Sequence, residues 1–566
     1  MASDADLLIV GGDVFTVDPS ASVAEAVAVR DGLILAVGRQ DELRELAGPH
    51  TRVVDVAGRT VLPGINDSHL HGCAFGLSLP PLRLDLAHPT VTSIAEITAA
   101  VRLAAARTPA GEWILGGGWD TGYLAECQAD PNRQPDRADL DRVAPEHPVC
   151  LQDFSGHVVW VNTAALRAAG VRGDTPAPPG GVIVADAQGE PTGLLREAAQ
   201  ELVQLAVPAP TAAQREAGIT AALRILHEQG ITSFTEPGLG PGGHGIFGGA
   251  LAEQTLDVYA DMARAGRLAA RLTVLALPTG MTGSAKDLAA GLETIRRPAD
   301  VDPRRLNLTG IKIFADGIPP SETAWMYQPY RGGDACGSLC VAGDSDAERV
   351  AQVREMIRLS HEAGYQVGVH VTGDRAIDTV VDAMLAALHG APRDARHYVI
   401  HGDFTGPATL ARMAAGGIGA NMNPAIKWMI ADNMDSLLAP ELIEDQYPVR
   451  SAIEAGVRVM SSSDAPVTYP NWRQAVSTMM LRESRGSGRA IGAAQCVGLT
   501  EALRAYTVNA AWQDFAEDWK GSIEPGKVAD LCVTDGDLLH ADPHDIPDMP
   551  IAMTVLGGDV VYDTLS

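Results

Sequence analysis

Val61-Leu-Pro-Gly-Ile-Asn-Asp-Ser-His69-Leu-His71 is the stretch that decides how the chain is read. An apolar run ends there, and two histidines follow two positions apart. On an extended strand, residues i and i+2 share a face. Two imidazoles on one face at the end of a strand can grip one metal ion, and neutral imidazole is the commonest metal-ligating side chain. Two unrelated surface histidines would give the same spacing, so the rest of the chain has to separate the two meanings.

Seven further β-like apolar runs follow the first, Thr60–Ile65. They are Ile231–Thr235, Leu272–Leu277, Leu308–Phe314, Gln366–Val371, Tyr398–His401, Gly417–Asn421 and Val457–Ser461. Amphipathic, alanine-rich stretches such as 347–363 and 376–389 lie between several of them. Eight strands alternating with helices predict an α/β fold, a (β/α)8 TIM-like barrel. Far more chain separates the first run from the second than one helix needs. The excess, 76–200, is expected to be an insertion near the barrel mouth, with turn signals at Gly116-Gly-Gly118 and Pro178-Pro-Gly-Gly181.

Catalytic side chains in such barrels sit at the C-terminal ends of strands. His69 and His71 end the first strand, Lys312 lies on the fourth, His370 on the fifth, His401 ends the sixth and Asp464 follows the eighth. Each stands in or just after an apolar run, where an unpaired polar group is costly. Any one of them could be a satisfied core polar group; six at corresponding strand ends point to a site.

Outside the barrel, residues 6–60 read as short strands with turns, Asp31-Gly32 being a hairpin dipeptide. Residues 530–534, 553–556 and 560–562 supply similar material. Neither set can bury a core alone, so 1–60 plus 521–566 are expected to form one small β-sandwich around a barrel of 61–520.

The whole chain is 566 residues, 46% hydrophobic and 20% charged, enough for a large core. A net charge of −28 would repel nucleic acid and anionic membranes, so neither is expected as a partner. Seven scattered cysteines without a CxxC pair argue against a disulfide framework and for a reducing, cytoplasmic setting. Cys336 and Cys340 fit a glycine-rich loop better than a zinc knuckle, and Cys73 fits a core filler. The start, MASDADLLIVGGDVF, reads as neither signal peptide nor membrane span. A homo-oligomer is left open.

Several stretches resemble the metal-dependent amidohydrolase superfamily, more narrowly its YtcJ-like branch, which includes N-substituted formamide deformylases. They include PGINDSHLHG (63–72), GGGWD (116–120), SGHVVWVNTAAL (155–166), TGLLRE (192–197) and GITSFTEPG (230–238). Further along come GIKIFADG (310–317), GVHVTGDRAI (368–377), IHGD (400–403), SSDAPV (462–467), EALRAYTVNAA (501–511) and GSIEPGKVADLCV (521–533). The resemblance implies that His69 and His71 bind one metal, zinc by the chemistry of the donors, and that His370 and His401 hold a second. It implies that Lys312 bridges the two ions if its amine carries carbon dioxide as a carbamate. Asp464 would touch the metal and take the proton from the attacking water. Lys312 has a plainer alternative, an ion pair with Asp316 or another carboxylate, and the site would then hold one ion.

Trp119 and Asp120 follow three glycines and could lie on a loop over the pocket. His157 could bind substrate, and Glu236 ends the second strand and is read as facing the mouth. Trp325, Tyr327 and Tyr330 could form an aromatic wall. A structural role is the alternative for each. The expected activity is metal-dependent hydrolysis of a non-peptide C–N bond, amide or N-formyl, in an apolar small molecule. The rivals are a mononuclear deaminase of an aminated heterocycle and a metal-free scaffold.

Overall fold

The computed structural model describes residues 4–130, 132–153, 158–178, 181–244 and 246–565. Eight parallel strands form one sheet in chain order: Ile65–Asp67, Ile231–Leu239, Arg271–Ala276, Leu306–Phe314, Gln366–Val371, Tyr398–His401, Gly419–Met422 and Val459–Ser461. They are numbered here as barrel strands one to eight. Side chains of strands such as Gln366–Val371 are buried on both faces, as a helix-covered parallel sheet requires. The edge strands are tied by Ser68 Oγ donating to Ser461 O (2.7 Å) and by Asp464 N–H donating to His69 O (2.9 Å). The sheet is a (β/α)8 barrel. Helix Asp346–Glu362, capped by the Ser345 hydroxyl, and helix Asp374–Gly390 occupy the two expected amphipathic stretches.

The first apolar run divides at Gly64. Thr60–Pro63 pairs with the terminal strands, and only from Ile65 does the chain join the barrel. At the crossing, Gly64 N–H donates to Asp530 O and Ile65 N–H to Gly230 O. A Cβ on Gly64 would stand 2.2 Å from Thr232 Oγ1, so only glycine lets the chain pass there.

Both chain ends supply the second sheet. Ala5–Phe15, Val23–Arg30, Leu33–Gly38, Ala47–Asp55 and Thr60–Pro63 join Leu531–Thr534, Ile551–Leu556 and Asp559–Asp563 in one eight-stranded network. Its strands enclose a common core including Ile9, Val27, Val61, Leu531, Val533 and Val555. Neither terminal set could exclude water from these side chains without the other. A separate compact unit comprises Phe75–Ala221 and Ile246–Ala250. It has its own six-stranded sheet and its own core around Trp119, Leu151 and Trp160.

A buried ion pair joins the barrel to the terminal sheet. Arg271, first residue of barrel strand three, forks onto Asp530 (2.6 and 3.0 Å), and Gly557 N–H donates to the same carboxylate (2.8 Å). Both side chains are almost fully buried. Asp530→Ala would strand the guanidinium, a loss of about 3–5 kcal/mol for such pairs. Denaturant unfolding is expected to show a midpoint lowered accordingly, with the slope unchanged.

Candidate active site

Barrel strand one delivers His69 and His71 into the barrel end, and the turn after strand eight delivers Asp464. His69 Nε2 lies 3.2 Å and His71 Nε2 3.6 Å from Asp464 Oδ1. One atom from each of the three, of a kind that could hold a metal ion, lies within 4.8 Å of the other two. His401 packs against both neighbours, its ring 5.6 Å from that of His69 and 4.7 Å from that of His370.

Each imidazole that has a partner behind it is thereby told which nitrogen to leave bare. Glu236 Oε1 accepts from His71 Nδ1 (3.3 Å), leaving Nε2 as the lone-pair atom toward Asp464. Asn423 Oδ1 accepts from His401 Nδ1 (2.7 Å), so its Nε2 is bare. The Gly317 carbonyl accepts from His370 Nε2 (3.1 Å), which leaves Nδ1. His69 Nδ1 is buried without a hydrogen-bond partner among the described residues. Burial holds the His69 and His401 imidazoles well below their usual range and, with the nearby Lys312 charge, pulls His370 down to about 4. These rings are neutral at physiological pH. Neutral imidazoles with fixed lone pairs beside a carboxylate are a donor set that fits a divalent ion of the zinc type.

Lys312 is buried on barrel strand four, its ammonium 4.9 Å from the centre of the Phe314 ring. Burial pulls its amine down to about 7, partly opposed by the Asp464 charge. Asp316 is turned to other work. Its oxygens accept the backbone N–H groups of Thr372, Trp325 and Gly373 (3.0, 2.9 and 2.9 Å), tying the loop after strand four to that after strand five. Among the described residues Lys312 makes no ion pair with it.

His401 and Asp464 both adopt positive φ, 71° and 56°. Such backbone is unfavourable for a side chain with a Cβ and gathers at functional sites. Asp67 helps to hold the turn at Asp464. Its buried carboxylate accepts Ser463 N–H (3.1 Å) and His69 N–H (3.3 Å), and burial pushes its carboxyl up to about 7. Asp67 and Asn423 escaped the sequence reading. Asp67 stands in the quoted stretch, two residues before His69, but nothing in that spacing says it would clamp strand eight.

The remaining expected contacts are placed differently. Glu236 is fully buried behind His71, where it also accepts from Tyr259 OH (2.9 Å), rather than facing the mouth. Trp119 ends strand Ile114–Trp119 instead of lying on a loop. Its Nε1 donates to Leu151 O (2.9 Å) and its ring meets Trp160 edge-on, both within the separate unit's core. Asp120 caps the following turn through Gly122 N–H. His157 lies outside the described residues. The three aromatics after strand four do not share a wall. Trp325 is buried under the Arg375 guanidinium (4.0 Å), Tyr327 is exposed and donates to Asp378, and Tyr330 is buried and donates to Ala324 O.

Comparison with known proteins matches residues 52–562 to the amidohydrolase family. The YtcJ protein of Bacillus subtilis, itself assigned as an amidohydrolase, is 30% identical over 98% of this chain and 98% of its own. The N-substituted formamide deformylase of Arthrobacter pascens is 30% identical over 100% of this chain and 99% of its own. Among solved structures, an uncharacterized metal-dependent hydrolase from Pyrococcus horikoshii superimposes with a TM-score of 0.74. It is 21% identical and covers 95% of this chain and 99% of that one, which supports the shared fold. The chain belongs to the amidohydrolase family and is a hydrolytic enzyme acting on carbon–nitrogen bonds.

The place of Glu236 can be tested directly. Glu236→Gln keeps the shape and removes the charge that orients His71. Loss of an outer partner of a ligating histidine costs about 10–100-fold in metal affinity. Chelator competition on the purified variant is expected to show a weakening of that order.

Proposed function

We propose that this amidohydrolase is a metal-dependent hydrolase that cleaves a non-peptide C–N bond, of amide or N-formyl type, in an apolar small molecule. The observation that carries the reading is the convergence of one ring nitrogen each of His69 and His71 with an Asp464 carboxylate oxygen within 4.8 Å, the two Nε2 atoms lying 3.2 and 3.6 Å from Oδ1. The choice of an amide or N-formyl group is supported by the 30% identity, along the whole chain, to a formamide deformylase.

His69, His71, His370, His401 and Asp464 would hold one or two ions, zinc being the ion these donors suit. Lys312, carboxylated, would bridge if there are two. Carboxylation joins Nζ to the carbon of carbon dioxide and releases one proton, and it needs the neutral amine that burial favours here. Bound metal would supply Lewis acidity and lower the pKa of water to about 7.

The chain's own residues would do the rest. Asp464 stands beside both histidines of strand one, placed to take a proton from the attacking water and return it to the leaving nitrogen. Amines leave poorly unless protonated, so both halves of the shuttle matter. Glu236, Asn423 and the Gly317 carbonyl keep the imidazoles from turning during turnover.

Protein purified without chelator is expected to carry at least one divalent ion per chain by elemental analysis. The metal-loaded enzyme is expected to release formate or another carboxylic acid from a panel of N-substituted amides. Ammonia release from heterocyclic amines, with no acid released from the panel, would instead indicate a deaminase. A chain that neither binds metal nor gains activity with zinc would remove the proposal.

Asp464→Asn keeps nearly the same shape but cannot shuttle a proton. Its kcat is expected to fall by about 10²–10⁴. Metal content measured on the same sample separates loss of the shuttle from loss of a ligand.

A further inference from the structure

An open pocket of about 290 Å³ lies at the opposite end of the barrel from the histidine cluster. Its wall includes Thr273 and Asn307, which pair across barrel strands three and four near the start of each. Lys312 follows Asn307 on strand four, and five residues of strand span about 16 Å. The pocket is therefore separate from the candidate active site. Arg271, Arg304 and the segment 514–520, which follows helix Val508–Gln513, supply most of the remaining wall.

Polar groups in this wall lack partners. Thr273 is only 6% exposed, and its hydroxyl makes no hydrogen bond among the described residues. An enclosed hydroxyl costs free energy unless something bonds to it. The carboxamide of Asn307 beside it makes no hydrogen bond among the described residues either. The charges are uneven as well. Arg271 is paired with Asp530 (2.6 Å) and Lys520 with Asp514 (2.7 Å). Arg304 is exposed and makes no ion pair among the described residues, and its guanidinium stands 5.6 Å from the centre of the Trp519 ring.

The backbone adds an independent sign. Helix Val508–Gln513 closes with Phe515 N–H donating to Trp512 O (3.1 Å) and Ala516 N–H to Ala511 O (2.9 Å). In such an ending the left-handed position usually belongs to glycine. Here Phe515 occupies it, at φ 57°. A bulky residue in that conformation is an outlier of the kind that gathers at functional sites. Core packing does not account for it, because the ring is exposed apart from the Arg396 guanidinium over it (4.5 Å). With Trp519 it lines the pocket.

We propose that this pocket is a second small-molecule site, which takes a carboxylic acid with a flat apolar body, as its anion. Arg304 supplies the charge, Thr273 and Asn307 supply hydrogen-bond donors, and Phe515 and Trp519 supply apolar walls. One cation without an ion pair calls for one negative charge. Phosphate would bring further charge towards Asp514 and leave both rings without an apolar partner. The volume stands at the lower end for ligand pockets, about 300–1,000 Å³, so the ligand is small. The site is independent of the hydrolytic reaction proposed above.

The test is calorimetric titration of the full-length protein with benzoate as the probe. Saturable binding is expected. Arg304→Ala, at an exposed position, and Thr273→Val, which keeps the shape, are each expected to weaken it by about 10-fold or more. Benzyl alcohol, with the ring but not the charge, is expected to bind about 10-fold more weakly than benzoate or worse. Should Thr273→Val not fold, Arg304→Ala decides alone. Benzoate held by the histidine cluster instead would be indifferent to both variants, so an unchanged affinity in them would overturn the proposal. Absence of saturable benzoate binding would overturn it too, as would tighter binding of inorganic phosphate than of benzoate. The readout is binding and not turnover, so its outcome stands apart from whether the enzyme hydrolyses amides.

Discussion

A neutral imidazole has one nitrogen that donates and one that accepts, and a metal site drawing on several of them would work only if the right one is bare on each. That choice constrains much of the barrel's C-terminal end. Solvent cannot make it, because the rings are buried. It is made by acceptors that stand behind them: a carboxylate for His71, an amide oxygen for His401 and a backbone carbonyl for His370. These acceptors come from different strands or their following loops, so the cluster exists only when the barrel is assembled. Buried polar groups without partners are costly, which is why the interior between the strands is filled with amides and hydroxyls in mutual contact.

The second constraint is backbone strain. His401 and Asp464 adopt left-handed conformations that cost about 1–3 kcal/mol each. The strain has local restraints. Asp464 N–H is bound by His69 O, Ser463 N–H by Asp67, and His71 N–H by Ala465 O. The chain segments that carry the histidines and the aspartate thus hold one another in place. Removing Asp67 would release both the turn at Asp464 and the backbone of His69, though both contacts are to backbone N–H groups.

The barrel and its six strand-end residues were legible because both follow from spacing along one strand at a time. Apolar runs give strands, and a polar residue at the end of such a run stands out. What escaped depends on contacts between strands distant in sequence. Glu236 reads as a mouth residue because it follows the apolar run 231–235, although strand two continues to Leu239. Only the packing of Tyr259 and Cys73 around it shows that it turns behind His71. Trp119 after three glycines has the local signature of a loop, yet Gly116 and Gly117 lie in a strand that Trp119 ends, and its ring joins a core. By sequence Gly64 falls in the interior of one apolar run, 60–65. It is the point where the chain leaves one sheet for another, a fact that lies in Thr232 and Asp530 rather than in residues 60–65.

Lys312 shows how far composition and packing can pull apart. By sequence its nearest carboxylate is Asp316, four residues on, and an ion pair would be the ordinary expectation. In the fold, that carboxylate is consumed by three backbone N–H groups, which are fixed donors and cannot move away as a lysine could. The amine is left in a dry place, where the Asp464 charge partly opposes the effect of burial on its titration. A permanently charged ammonium there would repel a nearby divalent ion, whereas a neutral amine would not. Conversion to a carbamate would turn that position from a potential cation into an anion and a ligand. The same burial that makes Lys312 a poor structural cation therefore makes it a chemically sensible metal partner.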